Sequence, residues 1–357
     1  MKLCIILGTR PEIIKMAPII KECQKRELDY FVIHTGQHYS YEMDKLFFEE
    51  LELPGAKHNL DVGSGSHGKQ TGIMLEKIEQ VLMQEKPDVV FVQGDTNTVL
   101  AGALAASKLG IKVGHVEAGL RSYDRKMPEE TNRIVADHIS DYLFCPTEKA
   151  KEILLKEGID EKKIFVTGNT IVDSVFQNLE LAKKKVDVFS KFGLEKGNYF
   201  LITAHRPANV DNKENLEKMF KGFESVYNKF KLPLFYPIHP RTKKMIESLN
   251  VKVPECVKLV DPVGFLEFLQ LEANAKLVLT DSGGVQEETC ILRVPCITLR
   301  ENTERPETID VGGNVLAGLN PEKILECTKI MLNKEKEWSN PFGDGDSGKK
   351  IIDIVND

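Results

Sequence analysis

Short β-branched runs alternate with amphipathic helical stretches along almost the whole chain, and this limits the fold more than any other feature. KLCIIL (2–7), YFVIHT (30–35), DVVFVQ (88–93), KVGHVE (112–117) and DYLFC (141–145) read as buried parallel strands. PEIIKMAPIIKECQK (11–25) and QTGIMLEKIEQVLMQ (70–84) carry apolar residues at helical spacing. A second series opens with IFVTG (164–168) and continues through YFLITAH (199–205), LFYPIH (234–239), CVKLV (256–260), AKLVLTD (275–281) and PCITLR (295–300). The pattern predicts an α/β fold of two doubly wound, Rossmann-like domains with parallel sheets and right-handed crossovers. A length of 357 residues agrees, at ~100–200 residues per domain. The division is expected at 1–168 and 169–346, with IIDIV in a last short helix at about 347–357 after a polar, turn-rich stretch.

Charge and composition narrow the function. The net charge is -6, so a broad basic nucleic-acid surface is not expected and nucleic acid is not a predicted partner. Anions would have to be met by locally placed Arg, Lys and backbone N–H groups. No apolar run approaches the ~18–20 residues of a membrane span, so no membrane partner is expected. MKLCIIL is too short for a signal-peptide core and reads as a first strand. Seven scattered cysteines without a CxxC pair read as reduced packing residues of a cytoplasmic protein.

In open α/β sheets, ligands bind beyond the carboxyl ends of the strands. That rule selects Arg10 after the first strand, Gln37 and His38 after the second, Asp95 after DVVFVQG and Glu117 at the end of KVGHVE. In the second half it selects His205 and Arg206, His239, and Asp281-Ser282-Gly283-Gly284. The two rims are expected to face each other across an inter-domain cleft that holds the active site. DSGGVQEE (281–288) is the strongest phosphate signal, because adjacent glycines and a helix start offer N–H groups to an anion. Glu287 and Glu288 are expected in that helix's first turn, either complementing its dipole or accepting hydrogen bonds from a ribose diol. GTRPEIIK places Arg10 and Lys15 at another helix start. In MPEETNR, Glu129 and Arg133 stand at i and i+4, either as an ordinary helix ion pair or as a catalytic carboxylate steered by an arginine. The string GSGSHG contains GxGxxG, but HNLDV before it is a poor strand, so a Gly-rich helix entry is expected rather than a dinucleotide site. The histidines show no metal-binding spacing, so neither a metal nor another cofactor is expected.

GTRPEIIK, TGQHY, QGDTNTVLAGALAA, GHVEAGLRS, PEETNR, TGNTIVDS, TAHRPANV, DSGGVQEE and TERPE together resemble the non-hydrolysing UDP-N-acetylglucosamine 2-epimerases, in order from Gly8 to about Gly318. The resemblance implies a glycosyltransferase-B-like fold whose terminal helix crosses back to the first domain. It also implies a homodimer that interconverts UDP-GlcNAc and UDP-ManNAc for surface polysaccharide or glycan synthesis. Arg10, Lys15, Asp95, Glu117, Glu129, Arg133 and His205 would then surround the sugar and diphosphate. Phe268 and the backbone at Val263 would meet the uracil, while Ser282, Gly283, Gly284, Glu288 and Arg305 would hold ribose and phosphates. Gln37, His38, Arg206 and His239 match parts of a second, regulatory nucleotide-sugar site. The family's reaction eliminates UDP to a bound 2-acetamidoglucal and re-adds it with C2 protonated on the other face. Of the carboxylates, Asp95 and Glu117 are expected nearest the proton transfers, with Glu129 and Arg133 assisting. A hydrolysing epimerase, a glycosyltransferase and a non-catalytic nucleotide-sugar sensor are the rival readings.

Overall fold

The structure, a computed structural model, describes residues 1–37 and 41–356, with backbone alone at 41–43 and 46. The chain divides into two compact units, Met1–Gln177 with Phe342–Asp357, and Asn178–Pro341.

Among the described residues the first unit holds seven strands: β1 (Lys2–Leu7), β2 (Asp29–His34), β3 (His58–Asn59), β4 (Val89–Gln93), β5 (Lys112–Val116), β6 (Tyr142–Cys145) and β7 (Ile164–Val166). Their order is β3-β2-β1-β4-β5-β6-β7, and every pairing is parallel. The second unit holds β8 (Phe200–Thr203), β9 (Leu234–Pro237), β10 (Val257–Val260), β11 (Leu277–Thr280), β12 (Cys296–Thr298) and β13 (Asn314–Leu316), in the order β10-β9-β8-β11-β12-β13. Both sheets therefore reverse direction once, between β1 and β4 and between β8 and β11. Connections leave these switch points toward opposite edges, which opens a crevice above the strand ends. The central strands β1, β4 and β11 are buried almost throughout, because helices cover both faces of a parallel sheet.

Three strands depart from expectation. IFVTG does not open the second series: β7 pairs with β6 and closes the first sheet's edge. HNLDV contributes a two-residue β3 beside β2, and backbone pairing continues as far as Gly63 bonding Gly36. Its polar residues suit an edge, where only one side of the strand is paired. β13 was not expected, because NVL is too short to show any periodicity.

The last helix, Ser347–Asn356, packs on the first, Arg10–Lys25. An Arg26–Asp353 ion pair of 2.6 Å and a 2.9 Å bond from the Gly348 N–H to Asp173 hold it within the first unit. All seven cysteines are free and six are buried, as packing residues would be. Among the described residues, no helix is long and apolar enough to cross a membrane.

Gly119 gives a local test of the β5 rim. Its φ is +83°, and an added Cβ would lie 2.5 Å from the Ala150 carbonyl oxygen. Backbone strain and the clash act in the same direction, so G119A should cost at least ~2 kcal/mol. Chemical denaturation would read this, and an unchanged midpoint would contradict it.

Candidate active site

In the first unit the carboxyl ends of β1, β4 and β5 gather charged side chains. Glu12, two residues into the first helix, is 2% exposed and accepts from the Gly8 N–H at 2.8 Å and the Thr9 hydroxyl at 2.9 Å. It also accepts from the Thr96 hydroxyl at 2.6 Å, which ties the turn after β1 to the turn after β4. Burial pushes the Glu12 carboxyl up, and these hydrogen bonds oppose the shift.

Lys15 follows one turn later and reaches both oxygens of Glu117, at 2.6 and 2.9 Å. Glu117 also accepts from the Gln93 amide and is 9% exposed. Its φ of +69° places a non-glycine residue in the left-handed region. Such strain costs of order 1–3 kcal/mol and persists where the surroundings hold it. Here Phe144's carbonyl accepts from the N–H groups of both Glu117 and Ala118 at 3.1 Å.

Asp95 lies beyond β4, and its carbonyl accepts from the Asn132 amide at 2.9 Å. Its carboxylate accepts from Arg133. The helical partner of Arg133 is Glu130 at 2.9 Å, an i,i+3 pair, rather than Glu129. Glu130 is buried and also accepts from the Ser122 and Tyr123 N–H groups at 2.9 Å, which fixes its direction. Glu129 is half-buried. Asp95 and Glu117 thus each hold their own cation. The Arg10 Nε lies 3.4 Å from buried Asp44, and its guanidinium lies over the Phe47 ring. Gln37 is buried, and its amide oxygen accepts from the Thr98 hydroxyl at 2.8 Å. His38 lies outside the described residues. GSGSHG runs into a helix that begins at its own His67, with Asn97 3.3 Å from the His67 ring.

Sequence reasoning missed the layer beneath. His115 on β5 is buried, with Nδ1 at 2.6 Å from Asp137 and Nε2 at 2.8 Å from the Gly94 carbonyl. A ring that faces two acceptors needs both protons. Burial penalises the charged ring, but the Asp137 charge and hydrogen bond, with the Gly94 bond, outweigh it and hold the pKa above the ordinary value. Asp137 also accepts from Arg121 at 2.6 Å and from the Gly119 N–H at 3.2 Å. His115 therefore steadies the turn that presents Asp95, and Asp137 the one that follows Glu117. A histidine inside an apolar strand was the available signal, but its partner is 22 residues away.

In the second unit, buried Asp281 after β11 accepts from the His205 N–H at 3.0 Å, the Arg206 N–H at 2.9 Å and the Asn209 amide at 3.1 Å. The His205 and His239 rings lie 5.4 Å apart, and His239 caps the helix Pro240–Ser248. Ser282 precedes the helix Gly283–Ile291 without capping it through its side chain. An added Cβ on Gly283 or Gly284 would meet nothing closer than 3.8 Å, so the helix start is open to an anion. Arg206 pairs with Glu304 at 3.4 Å, and Arg300 holds the Glu304 pKa down at about 2. Arg305 pairs with buried Glu287 at 2.8 Å. Glu287 and Glu288 lie in the helix's second turn, not its first, because the helix begins at Gly283. Phe268 and Val263 are half-buried against one apolar cluster with Tyr199, Leu201 and Val285. Among the described residues, no group of three His, Cys, Asp or Glu side chains could hold a metal.

Two doubly wound units, one with an open helix start and one with cation-paired carboxylates, define a glycosyltransferase-B-like protein. The UDP-N-acetylglucosamine 2-epimerase family profile matches residues 21–356. A UDP-N-acetylglucosamine 2-epimerase of Methanocaldococcus jannaschii is 60% identical over 361 residues, covering 99% of each chain. The crystal structure of M. jannaschii UDP-GlcNAc 2-epimerase with UDP-GlcNAc and UDP superposes with a TM-score of 0.87 at 60% identity, over 100% of this chain and 99% of that one. The Neisseria meningitidis UDP-GlcNAc 2-epimerase bound to UDP-GlcNAc gives 0.87 at 35% identity, with 100% of both chains covered. The chain belongs to the UDP-N-acetylglucosamine 2-epimerase family of isomerases.

The His115–Asp137 pair makes a pH prediction. A His whose folded pKa is raised contributes stability that is complete below the ordinary value of ~6.5 and lost as pH rises through the folded pKa. D137N should therefore be less stable than the parent protein, with the gap widest between about pH 4 and 6.5, narrowing above that window as His115 loses its proton and below it as Asp137, whose pKa its cationic partners hold down, gains one. Urea unfolding of both proteins across pH would show it, and a gap independent of pH would contradict the charged ring.

Proposed function

We propose that this chain interconverts UDP-GlcNAc and UDP-ManNAc by eliminating UDP and adding it back. The observation that carries this reading is the pair of cation-matched carboxylates, Glu117 with Lys15 and Asp95 with Arg133, beyond the ends of adjacent strands. The C2 proton of the sugar has no carbonyl beside it and is not acidic. Cleaving the anomeric C–O bond first develops positive charge at C1, which makes that proton removable. UDP and a 2-acetamidoglucal are then the bound intermediates. Protonating C2 on the opposite face while UDP returns gives the epimer.

Glu117 and Asp95 exchange the C2 proton, each such transfer being worth ~10²–10⁴-fold. Lys15 and Arg133 pair with the carboxylates and aim them, and Glu129 and Glu130 assist from the neighbouring helix. Arg10, His205, Arg305, Ser282 and the Gly283 and Gly284 N–H groups stabilise departing diphosphate. Donors of this kind contribute ~10²–10³-fold each. Glu288 accepts from the ribose, and Phe268 packs on the uracil beside the Val263 backbone. Gln37, Arg206 and His239 serve a regulatory nucleotide-sugar contact, as the resemblance implies. The same reading has a homodimer whose product enters glycan synthesis.

Variants should separate the two kinds of group. D95N and E117Q should lower kcat by at least ~10²-fold while UDP affinity persists. S282A and R305A should weaken UDP binding, each by about tenfold. Steady-state kinetics and calorimetric UDP titration would read both effects. Near-normal turnover in both carboxylate variants would leave Asp95 and Glu117 as structural groups and overturn the assignment.

A further inference from the structure

Glu272 is a fully buried acid in the second unit. It lies on the helix Phe265–Ala273, one turn after Phe268, and is 0% exposed. Neither of its carboxyl oxygens receives an N–H or O–H from a neighbour. The Tyr199 hydroxyl, close by, spends its proton on the Leu271 carbonyl. The group that does meet Glu272 is a second carboxyl, Glu288, on the helix Gly283–Ile291. Two ionised carboxylates offer only acceptors to each other, so this contact needs one proton between them. Glu288 is partly exposed and can stay hydrated, whereas Glu272 cannot. The proton therefore belongs on Glu272. Burial, and then the Glu288 charge, push the Glu272 carboxyl well above the ordinary carboxylate range.

We propose that Glu272 is a neutral acid that donates a hydrogen bond to the Glu288 carboxylate, orienting it to accept from the ribose hydroxyls and making Glu272 a positioning residue for ribonucleotide selectivity. This rests on Glu288 being the ribose acceptor. Leaving an ionised acceptor misdirected or unpaired costs more than removing a neutral bond, so the effect on ribose recognition is large. Glu272 also lies on the helix that carries Phe268, so uracil and ribose recognition share one rigid element.

Titration calorimetry with UDP and with 2′,3′-dideoxy-UDP tests this in the full-length protein. The parent protein should prefer UDP. E288Q should reduce that preference about tenfold, the loss falling on UDP rather than on the dideoxy analogue. E272L should reduce it to a similar degree, and E272Q, which keeps an N–H donor in the same shape, should restore most of it. Infrared spectra at neutral pH should show a protonated-carboxyl stretch in the parent protein that is missing from E272Q. This readout holds even where E272L fails to fold. A preference retained in E288Q would overturn the ribose reading and this inference with it. A preference lost in E288Q but retained in E272L, no restoration in E272Q, or no infrared difference would overturn the role of Glu272 alone.

Discussion

At the switch point of a doubly wound sheet, two neighbouring loops part and leave backbone N–H groups and side-chain donors without partners in the sheet. Those donors need an acceptor that water cannot replace, and each unit supplies one buried carboxylate. Glu12 gathers Gly8, Thr9 and Thr96 in the first unit, while Asp281 gathers His205, Arg206 and Asn209 in the second. Each joins the two strands that flank the reversal, β1 with β4 and β8 with β11. Arg10, Asp95, His205 and Ser282, all proposed to touch substrate, sit on or beside the loops held this way. Burying a charge is costly unless it is fully hydrogen-bonded, so a carboxylate with several short bonds rigidifies its loops more than an apolar residue could.

The same economy of charge runs outward. Asp137 sits beneath the turns that follow β4 and β5 and balances His115 and Arg121. Above it, Lys15 and Arg133 take up the charges of Glu117 and Asp95. The positive φ at Glu117 fits this picture, since strained backbone survives only where packing and hydrogen bonds over-determine it. In the second unit Glu304 answers Arg206 and Arg300, and Glu287 answers Arg305. An arriving diphosphate would thus compete for arginines that are already oriented.

Much of this was legible in the chain itself. Parallel-sheet strands are near-continuous apolar runs, so β1, β4, β8 and β11 stood out, and the strand-end rule then selected Asp95, Glu117, His205 and Asp281. Two of the four edge strands escaped, because β3 and β13 are two and three residues long and carry no period. Partner choice within a helix also escaped: Arg133 sits near both Glu129 and Glu130, and only the Ser122–Tyr123 turn turns Glu130 toward it. Pairs made by distant segments, such as His115 with Asp137 or Glu272 with Glu288, leave no mark on local sequence. The motifs that identified the family gave the reaction class, which strand periodicity alone would not have done.

Proton NMR of UDP-GlcNAc with the enzyme in D₂O tests the central claim most directly. If Asp95 and Glu117 exchange the C2 proton through an eliminated intermediate, deuterium from solvent enters C2 of both epimers without any added nicotinamide cofactor. Epimerisation that kept the original C2 proton throughout would contradict the elimination account.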